Sequence, residues 1–214
     1  MREEDQVTEV RVAPPKFEVV EIRIRGTAPY VQSRFSEKCK REMLAKQEQG
    51  DKKNRGKKDR LARDLDAAYR DSMHRATDGD WCGIPAAAFR SAMISACRLS
   101  GLVMTRAKLT VFVIPDGFDS DGEGLVRICK GDPRRHDGHV RLATGVASVA
   151  IRAMWDLGWE SVVRVRYDAD QIDATSVVNL LSRAGHQVGI GEGRADSKRS
   201  CGCGWGSFEV VSNA

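Results

Sequence analysis

The chain has 214 residues, 41% of them hydrophobic and 30% charged, with a net charge of +5 and a pI of about 9.0. That length suits one domain with a buried core, or one domain carrying a large insertion. No apolar run approaches a membrane span, and the six cysteines, none in a Cys-x-x-Cys pair, suit reduced cytoplasmic thiols better than a disulfide framework.

Residues 1–15 read as a polar leader ending in Pro14-Pro15. Met1 to Val7 is charged and lacks an apolar h-region, so no secretory signal is expected. From Phe17 to Arg25, Val20, Ile22 and Ile24 alternate with Glu21, Arg23 and Arg25, the period of a half-buried strand. Residues 31–80 break this pattern and read as an insertion leaving the core after its first strand. Two helix-like stretches, about 36–48 and 58–75, flank the polar, basic run Gly50–Lys58. Between Arg34 and Arg63 there are 12 basic and 5 acidic residues, a local +7 that leaves −2 for the rest of the +5 chain. One basic segment on a near-neutral body points to a polyanionic partner.

The core resumes at Trp81. Ile84-Pro85 opens a helix, since proline suits a first helical turn, and Ala88, Phe89, Ala92, Met93 and Ala96 form its apolar stripe. Arg90 and Arg98 lie on it about 80° apart around the axis, so both are expected to face one ligand. A strand is expected from Lys108 to Ile114, a turn over Asp116–Gly124, and another strand over Leu125–Cys129. The stretch Gly131–Gly138 is polar and reads as an interruption. Ala147–Met154 and Ser161–Tyr167 read as strands, joined as a hairpin through Asp156-Leu157-Gly158. Asp173 is the expected N-cap of a last helix with Val177, Val178, Leu180 and Leu181 as its stripe and Gly185 as its end. Trp205 to Val211 reads as a closing strand. The order gives a βαββαβ skeleton, an α+β, ferredoxin-like or RRM-like arrangement of an antiparallel sheet and two helices, with a basic helical insertion.

Before the closing strand stand two glycine elements, Gly189-Ile190-Gly191 and Gly204-Trp205-Gly206-Ser207-Phe208, separated by a spacer carrying Arg194, Lys198 and Arg199. Glycine density of this kind allows close backbone approach to a ligand, and a run of free N–H groups makes an anion-binding concavity. This pattern resembles the C-terminal glycine-rich loop of the RAMP superfamily, the repeat-associated proteins of CRISPR systems. Pro85-Ala86-Ala87-Ala88-Phe89-Arg90 is similar to the entry of that family's first helix. The resemblance covers residues 17–30 and 81–211. It implies a ferredoxin-type core and places the insertion where crRNA-binding backbone subunits carry finger or palm elements.

The expected ligand is therefore single-stranded RNA or DNA, held largely through phosphates without a base code. The candidate contacts are Arg34, Lys38, Lys52, Lys53, Arg55, Lys57 and Lys58 of the insertion, Arg90 and Arg98 of the first core helix, and Gly189, Gly191, Arg194, Lys198, Arg199, Gly204, Trp205 and Gly206 of the loop. Trp205 or Phe35 is a candidate base-stacking ring; for Trp205, core packing weighs equally. Arg164 and Arg166 read as a solvated strand face. The resemblance further implies an oligomer along the strand, with other effector-complex subunits as possible partners. In RNA-cutting backbone subunits an aspartate follows the first strand. Gly26–Ser33 holds no acid here and Asp51 is the first aspartate beyond it, so a non-catalytic, cytoplasmic binder with no cofactor and no membrane partner is expected. The alternatives are a stand-alone single-stranded DNA-binding or annealing protein of a mobile element, an RNA-processing endonuclease using His186 as general base, and a mimic that joins or blocks a CRISPR complex. His136-x-x-His139 with Cys129, and Cys201-x-Cys203, lack the spacing of a zinc site.

Overall fold

A computed structural model describes residues 12–35, 37–48, 64–141, 145, 147–197 and 202–211. The chain is a mixed α+β protein with two antiparallel sheets and five α-helices among these residues. Strand β1 (Phe17–Gly26) follows the expected alternation, with Ile22 and Ile24 buried and Glu21, Arg23 and Arg25 exposed. Strand β2 (Tyr30–Gln32) comes next, then helices α1 (Glu37–Glu48) and α2 (Leu65–Asp71). Asp64 caps α2 by accepting from the N–H groups of Asp66 and Ala67. The short strand β3 (Gly83–Pro85) leads into α3 (Ala86–Ser100), whose stripe Phe89, Ala92, Met93 and Ala96 is buried as expected.

Three expectations fail between Ser100 and Asp168. The strand expected from Lys108 begins only at β4 (Val111–Ile114), because Met104–Thr110 is a helix, α4. Met104, Arg106, Ala107, Lys108 and Leu109 are good helix formers, and Ala107 is fully buried against the core. After β5 (Gly117–Phe118) and β6 (Gly124–Lys130), the supposed polar interruption is β7 (Pro133–Arg141). It pairs residue for residue with β8 (Ala147–Trp155). Finally, β8 and β9 (Glu160–Asp168) are not a hairpin. β8 pairs with β2 and β7, whereas β9 pairs with β1, β4 and β6, so Asp156–Gly158 turns the chain from one sheet to the other.

The first sheet runs β10-β1-β9-β6-β3, with β10 (Phe208–Val210) closing antiparallel on β1. The far edge of β9 is covered in two pieces, β4 against Arg164–Tyr167 and the end of β6 against Glu160–Ser161. The turn between the pieces carries Asp116, which accepts from Arg164 Nη2 at 2.7 Å. Helices α3 and α5 (Ala174–Arg183) pack on one face of this sheet. Between them lies the core of Ile22, Ile24, Phe89, Met93, Val163, Val165, Leu181 and Phe208. The second sheet, β2-β8-β7, joins the first through Tyr30, which meets Trp155 at 5.5 Å and Trp159 at 5.6 Å between ring centroids.

Asp173 caps α5, its carboxylate accepting from Ser176 N–H at 2.9 Å. Gly185 does not end that helix. The helix passes at Ala184 into one wider π turn, Ala184–Val188, and the chain leaves it at Gly189. Gly185 is needed there because the carbonyl and ring of Phe208 fill the place of a Cβ. The widened turn aims the first glycine element back across α3, toward β2.

Candidate nucleic-acid interface

Pauses in regular structure after α5 place the glycine loop between α3 and the second sheet. Glu192 N–H donates to Val31 O at 3.0 Å, Ile190 N–H to Gly206 O at 3.1 Å, and Gly206 N–H to Pro29 O at 2.7 Å. The two glycine elements thus zip to each other and to the β1–β2 connection. Together with α3 they wall a cleft of about 960 Å³, lined among others by Gln32, His74, Ser95, Arg98, Arg152 and Arg194. Its floor is apolar, from Ala88, Ala92, Val188 and Ile190.

Three guanidinium groups reach this cleft from three distant parts of the chain. Arg98 comes from the last turn of α3, Arg152 from β8 and Arg194 from the loop. Each is held. Arg98 Nη2 donates to Asp196 Oδ2 at 2.6 Å, and Ser95 hydroxyl donates to the same oxygen. Arg152 Nε donates to Glu192. Arg194 Nη1 donates to Gly191 O at 3.0 Å. The hydrogen bonds from Arg98 and then Ser95 hold the Asp196 carboxyl below its usual range despite partial burial.

The expected residues divide sharply. Arg98, Arg194, Gly189 and Gly191 line the cleft. Arg90 does not share it. Its guanidinium donates to Val111 O at 2.9 Å and Lys108 O at 2.5 Å and lies 5.1 Å over the Phe112 ring, so the 80° between Arg90 and Arg98 sends them to different surroundings. Arg34 is engaged by the β5–β6 turn, with Nη2 2.6 Å from Asp121 and Nε 3.6 Å from Asp119. Gly204, Trp205 and Gly206 form the loop's second element behind the cleft. The half-buried Trp205 packs over Gly193 and meets His136 edge-on at 5.4 Å. Phe35 is exposed. Lys38 lies on α1 with its side chain outside the described residues, as do Lys52, Lys53, Arg55, Lys57, Lys58, Lys198 and Arg199 entirely.

Many of the loop's amides are used within the protein rather than offered to a ligand. The N–H groups of residues 189, 190, 192, 196, 197, 203, 205 and 206 donate to carbonyls, most of them within the loop and its immediate supports. The glycines serve close packing of backbone on backbone, and side chains furnish the cleft's positive charge. Arg164, read as a solvated residue, pairs with Asp116, and Arg166 lies between the Phe17 and Phe112 rings at 4.9 and 5.1 Å.

His186 sits exposed on the π turn and does not line the cleft. The histidine that does is His74, whose Nδ1 is 2.8 Å from Asp119 Oδ2. Burial pushes the Asp119 carboxyl up. Hydrogen bonds from His74 and from the N–H groups of Glu123 and Asp121 outweigh it and leave the carboxyl below its usual range. His74 N–H also donates to Gln32 Oε1 at 3.0 Å, and Gln32 Nε2 donates to Tyr30 Oη and Gly83 O. Sequence reading passed over His74, Arg152, Glu192 and Asp196. They stand at no informative spacing, and only the fold gathers them. Among the described residues no group of three or more His, Cys, Asp and Glu side chains gathers to hold a metal ion, and no helix is long and apolar enough to cross a membrane. No protein-family model matches the chain, and no curated protein matches it.

Proposed function

We propose that this protein binds single-stranded nucleic acid in the cleft between α3 and the glycine loop, without cutting it. The observation that carries the reading is the convergence of Arg98, Arg152 and Arg194 on one partly apolar cleft. Guanidinium forks match phosphate oxygens, and an apolar floor suits sugar and base faces. The strand order β10-β1-β9 with β4 and β6 beyond, and α3 and α5 on one face, supports a ferredoxin-type core. That core, with the double glycine element, supports the likeness to the RAMP superfamily. On this reading the basic segment 34–63 lies along the same strand, and copies of the chain assemble on it as guide-complex backbone subunits do. His74 serves as a fastener: with Arg34 it ties Asp119, and so the β5–β6 turn, to the edge of the insertion.

The test is the triple variant Arg98→Ala, Arg152→Ala, Arg194→Ala. Binding of a labelled single strand is expected to weaken at least tenfold at low salt, since phosphate contacts supply most sequence-independent affinity. A triple variant that binds as tightly as the parent protein, with the same salt dependence, would overturn the assignment of the cleft.

A further inference from the structure

Two of the cleft's three arginines already hold an anion supplied by the protein. Along the loop Glu192, Arg194 and Asp196 alternate in sign. The outer two residues reach across the cleft, Glu192 to Arg152 and Asp196 to Arg98, while Arg194 hydrogen-bonds the carbonyl of Gly191 and only adds its charge to those that lower the Asp196 carboxyl. The Arg152 side chain is 14% exposed against 53% for Arg98, while the carboxylates of Glu192 and Asp196 are alike at 35% and 33%, so each pair keeps its carboxylate open to solvent. Glu192 is fixed by its own N–H on Val31 O and Asp196 by its N–H on Val188 O. Both carboxylates are thus delivered by ordered backbone, not by a wandering side chain.

We infer that Glu192 and Asp196 are resident anions which the phosphates of a bound strand must displace from Arg152 and Arg98. This rests on reading the cleft as the strand site. Carboxylate and phosphate oxygens compete for the same guanidinium fork. A lone phosphate exchanges one anion for another and gains little. A strand adds contacts elsewhere that carry the exchange, so the cleft selects polyanions over single phosphates. The displaced carboxylate stays beside the incoming phosphate, so the phosphate is not neutralised and keeps its condensed cation. Each phosphate fully neutralised on a single strand adds about 0.7 to the slope of log affinity against log salt. Arg194, which has no carboxylate hydrogen bond among the described residues, comes nearer that full amount in the native protein than Arg98 and Arg152 do.

The experiment uses Glu192→Gln and Asp196→Asn, singly and together. Both amides keep an oxygen acceptor for the arginines and Ser95. Asp80→Asn, which removes an exposed carboxylate paired among the described residues with Arg75, controls for net charge. Binding of labelled oligouridylate and oligothymidylate is followed against salt, with inorganic phosphate as competitor. Each cleft variant is expected to bind a strand up to about fivefold tighter at low salt, the range an exposed ion pair can influence. Each should steepen the salt slope by about 0.7 and become sensitive to inorganic phosphate, while Asp80→Asn changes neither slope nor competition. Weaker or unchanged binding by the cleft variants, with the native slope, overturns the inference and leaves the cleft reading intact. Absence of binding by the native protein and all variants at low salt overturns both.

Discussion

Replacing Gly191 by alanine should damage the cleft wall more than replacing Gly204, although both residues sit at φ +74°. A Cβ at 204 would meet nothing within 4 Å, whereas a Cβ at 191 would lie 2.6 Å from Val31 O and 2.6 Å from the Tyr30 ring. The conformational penalty for an L-residue in the left-handed region is about 1–2 kcal/mol and applies to both variants. Only Gly191→Ala must also push the loop from β2. Val31 cannot yield, because it is fully buried and paired with Met154 in the second sheet. The loop therefore moves, and the Glu192 N–H to Val31 O hydrogen bond goes with it, adding about 1–2 kcal/mol for a lost bond and a stranded acceptor. The expected cost is about 1–2 kcal/mol for Gly204→Ala and about 2–4 kcal/mol for Gly191→Ala. For a chain of this size the difference corresponds to roughly 2–8 °C in midpoint temperature. Differential scanning calorimetry of the two variants measures it directly, and strand affinity should fall only for Gly191→Ala. Equal destabilisation by the two substitutions would refute the close approach of loop and β2 on which the cleft depends.

The Asp119 carboxyl is held below its usual range, so its contribution to stability is fully present above the unfolded carboxylate pKa of about 4 and is lost as pH falls through the lower folded value. Asp119→Asn should accordingly lower stability at neutral pH and flatten the acid side of the stability curve below about pH 4, as chemical denaturation across pH will show; an unaltered acid limb would remove Asp119 from that role. Assembly along the strand predicts that light scattering with oligonucleotides of increasing length gives mass rising in steps while the strand stays whole. One subunit bound at every length would dismiss the assembly, and strand shortening abolished by His74→Ala would replace the fastener role of His74 with a catalytic one.

Local order was legible wherever one residue's environment repeats along the chain. The alternation in Phe17–Arg25 and Ser161–Tyr167, the stripe of α3 and the Asp173 cap could be read directly, because a half-buried strand or helix imposes its period on its own residues. The same logic explains the misses. β7 carries Arg134, Arg135, His136, Asp137 and His139, and its inner positions are only half buried, so it shows no apolar period. It is a strand because β8 offers it a full ladder of backbone partners. Trp155 and Glu160 stand five residues apart yet belong to different sheets, and no turn signal distinguishes such a corner from a hairpin. The glycine elements could be read as a tight loop, but not what the tightness is for. The N–H groups of Gly189, Ile190, Trp205 and Gly206 are spent on carbonyls, one of them as distant as Pro29. The cleft itself is a tertiary product. Ser95 and Asp196 are 101 residues apart and Arg152 and Glu192 are 40 apart. The charges that the sequence supplies are placed, paired and partly cancelled only when α3, β8 and the loop pack together.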